Sequence, residues 1–331
     1  MDFPKSLAAA LYLLAGRFTD GDPINGVPAS IDPASHMNAV TDELLNVIAG
    51  FGLVPDETKF DQVFKAIAGR IGSAGGLSFR NLLINAAGMI NQRGYVSGAA
   101  TTSANQYTID RWRVVTSGQN LSWAASGAVN VMTAPAGGVE QVIEGVNVLG
   151  GTYVLNWVGT ATAKVNGADV AKGGTVVLPA NTNATLRLIG GTYSMPQLEL
   201  GSVPTAFELR PFDKELTACQ RYYEKSFPLA TAPANAAGLF NYLPQQGAAG
   251  QMMVFGNFPF KVQKRNASSA VTLYNPVSNN AQARSLQANT DFTSTAANSI
   301  TEYGFGVAAT SPTGTIAGNS CALNWAADNE L

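Results

Sequence analysis

The spacing of apolar residues changes along the chain. Residues 33–51 and 55–71 carry apolar positions three and four residues apart, which predicts two short amphipathic helices joined by a tight turn. Proline starts each helix in this interpretation. Over residues 81–210 apolar and polar positions alternate, and glycine-containing turns recur about every ten residues. This second pattern is typical of an antiparallel β-sandwich or jelly roll.

The pattern changes again near residue 213. Residues 213–225 form a charged stretch in which Leu216, Cys219 and Tyr223 predict one apolar helical stripe. From residue 226 onward, low charge and short apolar runs predict a second set of strands. A helix this short is marginal in water, so we expect it to pack between the two β regions or along the axis of an oligomer.

Three regions follow from these patterns. We expect a helical segment over residues 1–75, a β-sandwich over residues 76–212, and a linker helix with a second β-sandwich over residues 213–331. The predicted fold class is mainly β, with two antiparallel, jelly-roll-like sandwiches. Two short helices bury little surface alone, so the helical segment should pack against a partner or against copies of itself.

Composition and charge narrow the function classes. Charged residues are 13% of the 331, about half the usual fraction. The chain has 20 basic and 22 acidic residues, so its net charge is close to zero. We therefore expect no nucleic-acid surface. The chain has no apolar run of about 20 residues, so we expect no membrane insertion. The apolar run at residues 7–16 resembles a signal-peptide core only loosely, and we expect it to pack on a neighbouring element.

Few residues offer catalytic or metal chemistry. The single histidine, His36, and two cysteines, Cys219 and Cys321, cannot supply the three or four ligands of a zinc site. His36 stands at the start of a predicted helix, where a capping or surface role is expected. The cysteines are expected to be buried free thiols rather than a disulfide pair. No cofactor is expected: a structural calcium ion would suit a jelly-roll edge, but no Asp-x-Asp-type loop supports one.

Two carboxylates invite a glycosidase hypothesis. Glu199 and Glu208 lie near each other in sequence and could act as an acid and base pair. The alternative is that they pair with Arg210, with Arg113 or with backbone donors. Because nothing in the sequence marks either group for a raised pKa, we expect the structural role and predict no catalytic residues.

Tryptophans in the middle region have two interpretations. Trp112 and Trp157 lie in dense strand patterns, which favours core positions with the indole N–H bonded locally. The alternative is an exposed platform for a sugar ring.

Six runs of the sequence together suggest a protein family. They are MNAVTDELLNVIAGFGLVPDETKFDQVFKAI, NLLINAAGMINQRG, YTIDRW, YVLNWVGTATAKVNG, QLELGSVPTAFELRPFDKELTACQRYYEKS and WAADNEL. These runs resemble tail fibre proteins of tailed bacteriophages. The similarity is most specific over residues 197–226 and weakest over residues 227–320.

The resemblance implies a non-enzymatic, homotrimeric fibre located in the virion tail and assembled in the host cytoplasm. Its N-terminus would dock to baseplate or tail proteins, and its middle would be a carbohydrate-module-like jelly roll. Its C-terminal head would bind a bacterial surface polysaccharide or outer-membrane receptor. Two alternatives are a secreted lectin-like module, which needs an export signal, and a capsule or O-antigen depolymerase, which needs a long β-helix with clustered carboxylates.

Candidate receptor residues lie in the head, residues 227–331. Its Asn, Ser, Thr and Gln side chains suit hydrogen bonds to sugar hydroxyls, and aromatic faces can pack on a sugar ring. Tyr242 and Tyr274 stand beside turn signals and are the favoured residues. Trp325 is the third candidate, although its hydrophobic strand favours a core position.

Overall fold

The computed structural model describes residues 12, 17, 19–32, 34–73, 79–244, 250, 252–313 and 320–331. The chain divides into two compact units, Met1–Gly75 and Gly76–Leu331. Most of the apolar run at residues 7–16 lies outside the described residues. None of the described helices is long and apolar enough to cross a membrane.

The N-terminal unit contains a pair of helices, α1 (Ala34–Gly50) and α2 (Gln62–Ser73). The first helix matches its predicted bounds. The second begins at Gln62, so the prediction that it starts at Pro55 is wrong. The Gln62 side chain accepts the N–H of Asp56 at 2.9 Å and donates to the Asp56 carbonyl at 2.6 Å, which holds the preceding segment in turns.

Most described apolar side chains of this unit are not buried. Ile48 of α1 and Ala66 of α2 are buried among the described residues. Large apolar side chains remain exposed on both helices and the segment between them, including Met37, Leu44, Leu45, Val54, Phe60, Phe64 and Ile67. The helix pair therefore presents an uncovered apolar surface.

The first β region of the second unit contains two antiparallel sheets. Their strand orders are β1-β2-β5-β10-β7-β8 and β3-β4-β11-β6-β9. From β4 to β7 successive strands alternate between the sheets, and the pairs β4–β11, β5–β10, β6–β9 and β7–β8 are nested. The strands are β1 (Gln106–Tyr107), β2 (Arg113–Val114), β3 (Ser122–Ser126), β4 (Val129–Ala134), β5 (Val139–Ile143), β6 (Gly151–Gly159), β7 (Thr162–Val165), β8 (Ala168–Val170), β9 (Thr175–Leu178), β10 (Ala184–Ile189) and β11 (Gly191–Leu200).

Both sheets contribute to one hydrophobic core. Burial alternates along β10 because successive side chains of a strand point to opposite faces. Trp112 is fully buried, and its indole N–H donates to the Asn85 carbonyl at 3.0 Å. Trp157 is also buried and donates to the Ala161 carbonyl at 3.1 Å. The prediction that both tryptophans are core residues is confirmed.

The alternating pattern of residues 107–115 does not form one strand. Instead β1 and β2 pair with each other, with Tyr107 opposite Arg113. A tight turn joins them: the N–H of Thr108 donates to the Trp112 carbonyl at 2.9 Å, and Arg111 has φ of 70°. The turn directs the Trp112 ring into the core.

Helix α3 (Phe212–Gln220) follows the first β region. It ends before the predicted residue 225, because Tyr223–Lys225 forms strand β12. The predicted stripe is confirmed at Cys219 and wrong at Tyr223, which belongs to the strand; the buried helical side chains are Glu215 and Cys219. The Glu215 carboxylate is buried because it accepts the backbone N–H of Asn85.

Within the described part of residues 223–331, β12 and the strands of the head form three small antiparallel sheets, so the mainly β fold is confirmed. Their orders are β12-β21-β15, β13-β20-β16-β17 and β14-β19-β18. A second hydrophobic core includes Phe258, Phe305 and Trp325. The remaining strands are β13 (Tyr242–Pro244), β14 (Met252–Pro259), β15 (Ala270–Tyr274), β16 (Arg284–Ser285), β17 (Thr290–Asp291), β18 (Thr293–Asn298), β19 (Gly304–Thr310), β20 (Ser320–Ala322) and β21 (Asn324–Asp328).

An arginine cluster joins the first β region to the end of the chain. Arg93 pairs with Asp328 at 2.8 Å and with Glu330 at 3.3 Å. Arg111, only 1% exposed, pairs with Glu330 and lies 3.5 Å from the centre of the Tyr222 ring. These ion pairs connect the two β regions, which lie in one compact unit. Removing one partner of the buried Arg111–Glu330 pair would leave an uncompensated charge.

Candidate functional site

An exposed aromatic pair stands at the start of the head. The Tyr242 side chain is 66% exposed, and its ring stacks on that of Phe240 with centroids 6.0 Å apart and planes inclined by 17°. Phe240 is itself 39% exposed. Stacking restrains both rings before any ligand arrives, so little conformational entropy is lost on binding. We call Phe240 and Tyr242 the aromatic platform.

Charged side chains share the sheet of the aromatic platform. Tyr242 and Arg284 lie opposite Ala322 from its two sides, and Arg284 lies opposite Asp291. Residues paired in register point to the same face of a sheet. The Arg284 guanidinium donates to the Asp291 carboxylate at 2.9 Å. One face of the sheet therefore carries an aromatic ring at one edge and an ion pair at the other.

The Asp291 carboxylate organises the neighbouring loop. Burial alone would raise the pKa of Asp291, but hydrogen bonds from Ser278, Asn280, Arg284 and Asn275 lower this pKa to about 2. The Asn275 side chain in turn accepts the N–H groups of Val277 and Ser278 and donates to the Asn280 side chain at 3.0 Å. The loop is thus ordered by its own polar side chains.

Tyr274 lies on a different sheet from the aromatic platform. Its half-buried ring packs edge-on against Phe227, with centroids 5.4 Å apart and planes at 87°. Burial raises the pKa of Tyr274, and a side-chain hydrogen bond with Thr272 opposes this shift. Tyr274 pairs with Asn324, two residues along the chain from Ala322, the partner of Tyr242.

Trp325 belongs to the head core and also lines a pocket. It is 6% exposed and packs against Phe260 and Phe305, with ring centroids 5.7 Å and 5.3 Å away. The adjoining pocket has a volume of about 350 Å³, within the usual range for small-molecule sites. We call it the Trp325 pocket. It is lined by Glu224, Lys225, Ser226, Asn241, Phe258, Pro259, Lys261 and Trp325.

The two candidate catalytic carboxylates have structural partners. Glu199 is buried and accepts the backbone N–H of Thr205 at 2.7 Å and its hydroxyl at 2.6 Å. Glu208 accepts the N–H of Asn81 at 2.9 Å and that of Phe79. Both therefore fasten chain segments together, and the expectation that they pair with backbone donors is confirmed. Among the described residues, no group of three or more His, Cys, Asp or Glu side chains is placed to hold a metal ion.

Sequence reasoning missed Phe240 of the aromatic platform and, apart from Trp325, every residue that lines the Trp325 pocket. Phe240 carries a usable signal, because an aromatic residue two positions before Tyr242 on an extended segment points to the same face. Asn241 and Lys261 carry no such signal, since tertiary pairing alone brings them beside Trp325.

No protein-family model matches the chain, and a search of curated proteins finds no significant match.

Proposed function

We propose that the protein is a bacteriophage tail fibre that adsorbs to a bacterial surface glycan through its head, without catalysis. The aromatic platform is the observation that carries this proposal: two stacked rings are exposed, and the segment just before them is hydrogen-bonded to the ordered polar loop through the N–H of Gly238 and the carbonyl of Pro276. Sugars present apolar C–H faces and many hydroxyls, so aromatic rings beside amide and hydroxyl groups match their chemistry. In this proposal the N-terminus attaches to baseplate or tail proteins of the virion, as the resemblance implies.

The first β region serves in this proposal as a jelly-roll spacer. Its four nested strand pairs support this assignment, because a jelly roll is a folded-over hairpin whose consecutive strands alternate between two sheets. The shared core of both sheets is also expected of that architecture. In this proposal the buried tryptophans of the region take no part in sugar binding.

Homotrimer formation is the second element of the proposal. Five apolar residues, four in α1 and one directly after it, are spaced alternately three and four apart, which is the heptad spacing of a coiled coil. Two of the five are exposed and the others are half-buried, so a seam is available for neighbouring copies. Three heads on one tip would raise the avidity of weak sugar sites. The seam residues are Met37, Val40, Leu44, Val47 and Phe51.

We propose the absence of catalysis because the two candidate carboxylates already accept hydrogen bonds from the backbone. Glu199 and Glu208 are both occupied by backbone N–H groups. A general acid or base needs a free oxygen facing a substrate, and these hydrogen bonds oppose that role.

Light scattering and cell adsorption test the proposal together. We expect a solution mass of three times the 34.5 kDa chain mass, and binding of the labelled protein to whole cells of a host strain. Met37→Asp with Leu44→Asp should shift the mass toward the monomer, because charges at a coiled-coil seam repel. Exposed Glu43, off this seam, provides the control Glu43→Gln, which should leave the mass unchanged. A monomeric wild-type protein would contradict the trimer. Failure of the protein to bind host cells that carry their intact surface glycan would contradict the adsorption role.

A further inference from the structure

We infer that the Trp325 pocket binds a sugar carrying a carboxylate, such as a uronic or sialic acid. This inference rests on the proposed glycan-binding function of the head and names the class of sugar. The pocket is a different surface from the aromatic platform. Asn241, which lines the pocket, lies between the two platform residues in sequence, and successive side chains of an extended segment point to opposite faces.

The shape and lining of the pocket suit one sugar residue. Its volume of about 350 Å³ lies near the lower end of the range for small-ligand sites. The Phe258 and Trp325 side chains supply apolar surface, and Asn241 and Ser226 bring polar groups that hydrogen-bond hydroxyls. A mixture of apolar lining and a few polar groups is what fixes the orientation of a small ligand.

The acidic group of the pocket is already neutralised. Glu224 is fully buried, and one carboxylate oxygen accepts the Lys264 ammonium at 2.6 Å. The other oxygen accepts the backbone N–H of Lys261 at 2.9 Å. The Glu224 charge is therefore balanced by Lys264, and among the described residues Glu224 forms no ion pair with the Lys261 side chain.

Two lysines leave the pocket positive. Lys225 is buried, and its ammonium donates to the carbonyls of Leu229 at 3.0 Å and Thr231 at 2.5 Å, which are neutral partners. Burial lowers the pKa of Lys225 to about 8, so it stays largely charged at neutral pH. Lys261 is exposed, and within the part of the chain that the structure describes it forms no ion pair. The positive charge of these two lysines favours binding of an anion in the pocket.

The arrangement gives each part of an acidic sugar a partner. The carboxylate would pair with the Lys261 ammonium, which has the freedom of an exposed side chain to reach it. The ring would pack on the exposed part of Trp325, and hydroxyls would meet Asn241 and Ser226. A neutral sugar of the same shape would lack the charge-assisted bond, which is the stronger kind of hydrogen bond.

Tryptophan indole NMR tests this inference on the full-length protein. The protein is labelled with ¹⁵N at its four tryptophan indoles. It is then titrated with galacturonate, glucuronate or N-acetylneuraminate at millimolar concentrations, each beside its neutral parent sugar. We expect the acidic sugars to shift the Trp325 signal while those of Trp112 and Trp157 stay fixed. Lys261→Gln should weaken this binding about tenfold, and Lys214→Gln, which removes an exposed lysine of α3, should not.

Each outcome has a definite meaning. Equal affinity for acidic and neutral sugars, or full binding by Lys261→Gln, overturns the assignment of an acidic ligand. No Trp325 shift with any of the three acids overturns the site. Because adsorption to whole cells is measured separately, a protein that binds cells but no acidic sugar refutes this inference and leaves the proposed function standing.

Discussion

The two β regions of the second unit differ in what they do with aromatic and polar side chains. In the first region eleven strands form two sheets around one core, and the tryptophans Trp112 and Trp157 are buried with their indole N–H groups bonded. The head spreads its strands over three smaller sheets and leaves Tyr242 and Tyr303 exposed. The first region therefore has the buried, hydrogen-bonded aromatic side chains of a scaffold, whereas the exposed rings and polar loops of the head are the features on which the proposed recognition role rests.

The two β regions are nevertheless connected to each other by the arginine cluster. Arg93 and Arg111 of the first region pair with the last residues of the head. A chain truncated near residue 213 would leave these buried guanidinium groups without their carboxylates. Point variants therefore separate the roles of the two regions more cleanly than truncation does.

Loss of the buried ion pair should have the largest effect. Glu330→Gln leaves the Arg111 guanidinium buried without a carboxylate, which costs about 3–5 kcal/mol of unfolding free energy. Asp169→Asn is the control: its pair with Lys164 is exposed and should contribute at most about 1 kcal/mol. Urea unfolding measures both. If Glu330→Gln unfolds like the control, the arginine cluster does not join the regions.

Acidity should change stability through Asp110. This carboxyl is fully buried, and burial raises its pKa to about 6, although the charge of Arg93 and hydrogen bonds from Gln92 oppose the rise. The native state therefore binds the proton more tightly than the unfolded state. Stability from this group should be greatest below the unfolded pKa of about 4 and should fall by about 3 kcal/mol as pH rises through 6.

Asp110→Asn should remove that pH-dependent part of the stability. The amide cannot ionise, so the fall in unfolding free energy that Asp110 contributes between pH 4 and about 6 should be absent, and the slope should be more positive than in wild type. The variant also loses the acceptor for the Gln92 amide, so the slope, rather than the absolute stability, is the quantity to compare. An unchanged slope would show that Asp110 titrates normally.

A core substitution should affect stability without affecting binding. Trp112→Phe leaves a cavity and an orphaned Asn85 carbonyl, so we expect a loss of about 2 kcal/mol. Binding to host cells at a temperature where the variant is folded should stay at the wild-type level. Weakened cell binding by a folded Trp112→Phe protein would indicate that the first β region takes part in recognition.

Local sequence signals predicted the features that local chemistry determines. The Asn166-Gly167 turn between β7 and β8 has φ of 50° and 84°, values that this dipeptide tolerates. The buried tryptophans followed from strand alternation. Cys219 and Cys321 are both buried, as their apolar surroundings in sequence suggested.

The features that sequence did not predict depend on distant partners. Helix α3 stops early because Tyr223 pairs with Asp328, more than a hundred residues away. The Trp325 pocket collects residues from four separate segments. Alternation and helical spacing of apolar residues give no information on contacts between residues distant in sequence. The pocket could therefore be found only in the folded chain.

Cell adsorption by Tyr242→Ala tests the central claim most directly. Tyr242 is exposed, so its removal should change the unfolding free energy by no more than about 0.5 kcal/mol. Tyr303→Ala removes an equally exposed ring outside the platform and serves as the control. We predict that Tyr242→Ala melts like wild type but binds host cells at least about tenfold more weakly, while Tyr303→Ala binds normally. Wild-type adsorption by a folded Tyr242→Ala protein would contradict the claim that the aromatic platform recognises the cell surface.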